Sequence, residues 1–262
     1  MDCTVVSSAV GDAFWKAYTL FKERGYLDVC RSVCEFFVND LRMDEIDDET
    51  LCFSYTPLDD FHVHNADLFV AEFLTRVGKE TGNAAYVKIG ARAANYALRE
   101  QNPDGSLCYW GKVQDHHSPH HIDHYHSGFE IRMLYGMWKL TGDERYRRAV
   151  RRYYRFYRKN LFLEGCVPKI SPQRVYPINI HSCAEAILCN ATVAEELEEA
   201  RELLPRVVAW TVERMQTRAG WFIYMIRSHK GRERKVRVPY IRWGQAWMLR
   251  ALAQAYSEIR RT

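Results

Sequence analysis

Apolar positions recur along this chain at intervals of three and four, and they do so in two alternating kinds of segment. Segments such as ADLFVAEFL (66–74) and FEIRMLYGMW (129–138) are apolar nearly all round, as expected of helices covered on both sides. This pattern predicts a first type of helix over about 8–23, 65–80, 126–140, 181–196 and 243–259. The second type, over about 26–41, 84–101, 144–161 and 198–216, is amphipathic with long charged stripes. Short turns join the two types: KERGY (22–26), KETGNAAY (79–86) and KLTGDERY (139–146). Glycine is expected there to take the left-handed conformation that stops the first helix, with a neighbouring acid or amide capping the second.

The pattern also repeats. Tyr26, Tyr86 and Tyr146 stand sixty residues apart and open the similar runs YLDVCRSVCEFFVNDL, YVKIGARAANYALREQ and YRRAVRRYYRFYRKNL. Gly105 and Gly165 keep the same period in the loops NPDGS and LEG, with TRAG (217–220) in a corresponding place. Self-similarity at a long fixed period marks an array of supersecondary units. The expected fold is therefore all-α: an (α/α) toroid of tandem helical hairpins, one domain over 1–262, with the first helix type lining the inside. Counting gives about four and a half hairpins, so an open or incomplete ring is expected, completed by a partner copy or by chain preceding Met1. LCFSY (51–55), SLCYWG (106–111) and GWFIYMI (220–226) are expected as short strands or extended rims.

Composition narrows this picture without redirecting it. With 47% hydrophobic and 27% charged residues, the 262-residue chain can bury a substantial core. No apolar run approaches the roughly 18 residues of a membrane span, and MDCTVVSSAVGDAFW has no basic region of the signal-peptide kind. The eight cysteines include no CxxC pair, and Cys30 and Cys34 share a helix face, so buried thiols in a reducing cytoplasm are expected. The net charge of +4 is concentrated: Arg147, Arg148, Arg151, Arg152, Arg155, Arg158 and Lys159 crowd one segment. That stripe reads as a solvated helix face, and nucleic acid is not the expected partner.

Candidate chemistry gathers at the starts of the inner helices. TPLDDFHVHNADL (56–68), HHIDHYHSGF (120–129), YPINIHSCAEAI (176–187) and PYIRWGQAWM (239–248) should open on one mouth of the toroid. Helix N-termini suit anionic groups, aromatic faces stack on sugar rings, and amides and charges read hydroxyls and acids. A carbohydrate cleft follows as the expectation, with Trp110 and Trp243 as stacking platforms. Six of the ten histidines crowd positions 116–126: His116, His117, His120, His121, His124 and His126. A metal is the tempting reading, but neither HExxH nor a Cys/His zinc spacing occurs, so no metal and no cofactor are expected.

Two reactions remain open. Hydrolysis needs two carboxyl groups about the bond, for which Asp59, Asp60, Asp67, Asp123 and Glu185 are available, with Asp123 the best placed. Proton abstraction beside a uronic acid carboxylate needs a base, an acid and a group that neutralises the carboxylate. His124 or His181 could serve as base, Tyr125 or Tyr240 as acid and Arg242 as clamp, giving C5-epimerisation or β-elimination.

The strings HVHNADL (62–68), IDHYHSGF (122–129), YPINIHSCA (176–184) and RWGQAWM (242–248) resemble polysaccharide-biosynthesis proteins of the VpsJ-like type. The chain is also similar, more distantly, to six-hairpin glycosidases and prenyltransferase-like toroids, the latter through QNPDGSLCYWG (101–111). This resemblance implies an (α/α) toroid and a role in making or remodelling polysaccharide. His62, His64, Asn65, Asp123, His126, His181, Arg242, Trp243 and Gln245 fall on the motif positions, whereas His124 and Tyr125 fall on variable ones. Family members are longer at the N-terminus, which implies that this chain enters the ring partway. Asp123, His126, His181 and Arg242 are therefore the expected catalytic set. His62, His64, Asn65, Trp110, His124, Tyr125, Tyr240, Trp243 and Gln245 are expected to bind an oligosaccharide or polysaccharide. A non-catalytic glycan-binding or assembly protein is the alternative.

Overall fold

A computed structural model describes residues 3–114 and 121–260. Among these the helices follow the predicted order as four hairpins and a ninth helix: α1 (Thr4–Phe21), α2 (Arg24–Asn39), α3 (His64–Thr81), α4 (Ala84–Glu100), α5 (His124–Thr141), α6 (Glu144–Asn160), α7 (Ile180–Val193), α8 (Glu198–Met215) and α9 (Trp247–Ile259). A π-helical turn, Ile241–Ala246, leads into α9. The chain divides into two compact units, one of residues 1–103, 107–121 and 133–150, the other of 104–106, 122–132 and 151–262.

In the first unit α3 forms the centre, buried along nearly its whole length, with Phe73 set edge-on against Phe37 of α2 at 6.2 Å. Antiparallel β1 (Met43–Asp47) and β2 (Thr50–Phe53) lie between the two hairpins in sequence, and β2 is fully buried. LCFSY thus contributes a strand, whereas SLCYWG contributes only an isolated bridge, Trp110 to Val63. Two of the three predicted turns work through glycine: Gly82 (φ 70°) and Gly142 (φ 74°) follow α3 and α5. In the second, Asn83 caps α4 by accepting from the Ala85 and Tyr86 amides. At KERGY the expectation fails. Lys22 (φ 60°) takes the left-handed position, and Gly25 lies in the first turn of α2.

In the second unit α7 is the buried element, enclosed from Ile180 to Ala191. Strands β3 (Phe162–Leu163) and β4 (Val167–Pro168) close one loop, and β5 (Ile178–Asn179), β6 (Met225–His229) and β7 (Arg232–Val236) form an antiparallel sheet. Strand β6 begins in the expected GWFIYMI segment, at Met225 and Ile226, but its continuation into a β6–β7 hairpin was not expected, because β7 is almost wholly charged and leaves no apolar alternation.

The terminal helices depart from the expected inner type. Val6, Val10, Leu20 and Phe21 of α1 are exposed, as are Leu249, Tyr256 and Ile259 of α9. Each packs on one side, α1 against α2 and α3, α9 against α7 and α8. Of the eight free cysteines, Cys30, Cys34, Cys52, Cys183 and Cys189 are buried, as small apolar side chains are. No helix of the described residues is long and apolar enough to cross a membrane.

Candidate active site

The sixty-residue period puts a histidine at the head of α3 and of α5, and packing gives both the same task. His64 Nδ1 donates to the Cys108 carbonyl (2.7 Å), and its ring stacks on Tyr96 of α4. His124 Nδ1 donates to the Leu161 carbonyl (2.9 Å), and its Nε2 accepts from Tyr157 Oη of α6 (2.7 Å). A carbonyl only accepts, so Nδ1 carries the proton in each. Burial lowers the two pKa values to about 4 and about 3, so both rings are neutral near pH 7. His124, expected at the mouth as base or substrate contact, is instead fully enclosed with both nitrogens engaged. Asn65, beside His64, is buried too.

The third inner histidine breaks the pattern. His181 opens α7, but α8 has Thr211 four residues from its end, where α4 has Tyr96 four residues from its own. His181 is only 6% exposed, yet neither ring nitrogen has a hydrogen-bond partner of good geometry. Burial lowers its pKa to about 4, aided by the His126 ring and opposed by Asp123 and the Trp243 backbone. A neutral imidazole with an available lone pair results, the state required of a general base.

Aromatic rings wall this imidazole. Trp243 and Trp247 stand edge-on to it at 5.0 Å each, Tyr125 at 4.7 Å and Phe129 at 5.7 Å. Tyr125 also touches His126, ring centroids 4.2 Å apart, and so lies between the two histidines. Asp123 precedes α5 as its N-cap: Oδ1 accepts from the His126 amide (3.0 Å) and Oδ2 from His126 Nδ1 (2.5 Å). Capping and ring orientation occupy both oxygens, which makes Asp123 a positioning group for His126. Beneath them Arg132 holds Glu185 through two bonds (2.5 and 3.1 Å) at almost no exposure. Burial pushes the Glu185 carboxyl above its ordinary range and the Arg132 guanidinium opposes this. Gly128 is obligatory here, since a Cβ would lie 2.6 Å from Glu185 Cγ.

The π-helical turn supplies the exposed part of the site. Arg242 lies over the Trp243 ring at 4.7 Å, and Trp243 is itself exposed. Gln245, expected to read sugar hydroxyls, instead pairs in both directions with the Phe222 backbone (2.9 and 2.8 Å) and ties the turn down. Tyr240 is exposed and edge-on to Tyr224 at 4.7 Å.

Four predicted binding residues belong to the first unit: His62, His64, Asn65 and Trp110. His62 is buried and saturated, Nε2 to Asp44 (2.9 Å), Nδ1 to Tyr96 Oη (3.1 Å) and its amide to Gln114 (2.7 Å). Trp110 packs edge-on against Phe61 and Tyr109. The structure therefore groups Asp123, Tyr125, His126, His181, Arg242 and Trp243 in the second unit. It adds Phe129, Trp247, Arg132 and Glu185. Trp247 was legible as the last aromatic of RWGQAWM, and Phe129 as the end of IDHYHSGF, one helical turn beyond His126. His116, His117 and His120 lie outside the described residues.

No family model and no curated protein matches the chain. Solved structures do. A sugar epimerase from a ruminal bacterium superposes with TM-score 0.76 at 11% identity, over 98% of this chain and 71% of the other. Cellobiose 2-epimerase from Bacillus thermoamylovorans gives 0.73 at 11%, over 99% and 76%. An unsaturated glucuronyl hydrolase specific for heparin gives 0.66 at 11%, over 95% and 73%. The chain has the (α/α)-toroid fold.

Proposed function

We propose that the protein is a carbohydrate-active enzyme that moves a proton on a sugar of an anionic glycan, with His181 as base and His126 as the opposing acid. The single observation carrying this reading is His181 itself, a neutral imidazole whose ring nitrogens lack a well-formed hydrogen bond, enclosed by aromatic rings beside an aspartate-held histidine. His181 removes a proton from the carbon next to a carbonyl or carboxylate and becomes imidazolium, and the electron pair of that C–H bond moves through the carbonyl carbon onto the oxygen. Arg242 balances the charge that accumulates there. Return of a proton from His126 to the opposite face gives the epimer, whereas loss of a β-substituent gives the unsaturated product. Trp243 supplies a face for a sugar ring.

Fold likeness to proteins named as sugar epimerases supports proton transfer, and likeness to the glucuronyl hydrolase supports an acidic sugar. Glycoside hydrolysis is supported less, because Glu185 is locked to Arg132 and both oxygens of Asp123 are engaged. A role in polysaccharide synthesis or remodelling rests on the four motif strings.

The test is incubation of uronate and neutral oligosaccharides in deuterated water. Deuterium at a sugar carbon is the expected result; new reducing ends alone would replace proton transfer by hydrolysis. His181→Ala should lower turnover by about 10²–10⁴-fold and Asp123→Asn by less, with folding unchanged. Undiminished turnover of a confirmed substrate by His181→Ala removes this site from consideration. Binding without turnover by the native protein leaves the non-catalytic alternative.

A further inference from the structure

The β6–β7 hairpin carries six lysines and arginines between positions 227 and 237 (Arg227, Lys230, Arg232, Arg234, Lys235, Arg237) and one acid, Glu233. Residues 227–235 are all exposed. The register sorts these charges. Arg227 pairs with Arg234, and His229 with Arg232, and residues directly opposite across a ladder share a face. One face thus sets arginine against arginine and arginine against histidine, an arrangement that costs stability when nothing neutralises it.

The other face is tied down. Glu233 is held by Arg214 of α8 and by Tyr176 Oη (2.7 Å), and Lys235 Nζ donates to the Arg214 carbonyl (2.7 Å). Among the described residues, no carboxylate pairs with Arg227, Arg232 or Arg234. The hairpin's one acid is therefore spent on anchoring, and its cationic face is left uncompensated.

Both roots of the hairpin lead to the candidate site. Strand β6 pairs with β5, whose Asn179 caps α7 by accepting from the Ser182 amide (2.7 Å), next to His181. Strand β7 ends at Val236, and the chain reaches Arg242 six residues later. Five residues per strand at ~3.4 Å each give an arm about 17 Å long.

We propose that this face is a docking arm for an acid-bearing glycan chain, holding sugar units remote from the one bound at His181; the choice of a glycan rests on the function proposed above. The residue types favour it over other polyanions. Single-stranded nucleic acid is held by basic grooves interleaved with aromatic stacking platforms, and 227–237 contains no Phe, Tyr or Trp. The exposed residues 227–235 themselves carry no apolar side chain that would insert into a bilayer.

The experiment measures binding of a labelled oligogalacturonate decamer by anisotropy across a sodium chloride series, with native protein, R227Q/R234Q and H181A. Native affinity should fall steeply with salt. R227Q/R234Q should bind about ten-fold more weakly at low salt and lose part of the salt dependence, as expected when two contacts to a polyanion are removed. Binding of a galacturonate disaccharide should be unchanged in R227Q/R234Q, and H181A should keep its hairpin-dependent decamer binding. This separates the two ideas, since H181A tests the chemistry and R227Q/R234Q tests the arm. Equal decamer affinity and salt slope in R227Q/R234Q and native protein would overturn the arm. So would tighter hairpin-dependent binding of oligouridylate or of phosphatidylserine vesicles at matched charge.

Discussion

His64, His124 and His181 are three solutions to the problem of burying an imidazole. In the first two, a loop carbonyl fixes the Nδ1 proton, and a tyrosine on the following helix covers the ring or fills Nε2. His124 is thereby saturated, whereas His64 keeps its Nε2 without a partner of good geometry. His181 has the burial without the partners, which is the costly case unless a ligand supplies them. The neighbouring Arg132–Glu185 pair follows related logic. Arg132→Met should cost about 3–5 kcal/mol by stranding a buried carboxylate, whereas the double variant R132M/E185L should recover most of it. Urea midpoints of the three proteins decide this; equal midpoints for R132M and native protein would count against a structural pair. Sequence alone singled out His181, Asp123 and His126, because each lies in a motif at a helix start. It could not separate His181 from His124, since the difference lies in what the next helix and loop bring against each ring.

At the level of elements, the helices were legible and the loop-built pieces were not. Long segments with a 3.6-residue apolar period leave one consistent answer, so α2, α4, α6 and α8 fall close to their predicted bounds. The π-helical turn has no such signature. Gln245 bonds both backbone groups of Phe222 and so ties the turn to that segment. Gln245→Ala should release that tether, cost about 1–2 kcal/mol, and displace Trp243 and Arg242 together. On a confirmed substrate, KM should rise more than kcat falls. A reversed ratio would show that Gln245 acts on the reacting atoms rather than as a tether. The β6–β7 hairpin was legible only at Met225 and Ile226 for the complementary reason: charge along β7 hides the alternation by which a strand is read.

For the whole molecule, the buried histidines predict how stability depends on pH. Their folded pKa values of about 4, 3 and 4 lie below the unfolded value of roughly 6.5. Between those limits the unfolded chain binds protons that the native one refuses. The contribution of these histidines to stability is therefore complete above about pH 6.5 and declines as pH falls towards 4. The stability advantage of the native protein over H124Q, read from urea midpoints, should be smaller at pH 5 than at pH 7. An advantage constant over that range would contradict the assigned burial.

The sequence by itself determined the helical hairpins, their order and the repeat that relates them, because periodicity and turn residues act locally and need no partner. It also marked four stretches dense in polar and aromatic residues at helix starts. Tertiary structure alone decided which of those polar groups were consumed by the fold. Hydrogen-bond satisfaction is settled by segments distant in sequence: Leu161 and Tyr157 for His124, Phe222 for Gln245, and no comparable pair for His181.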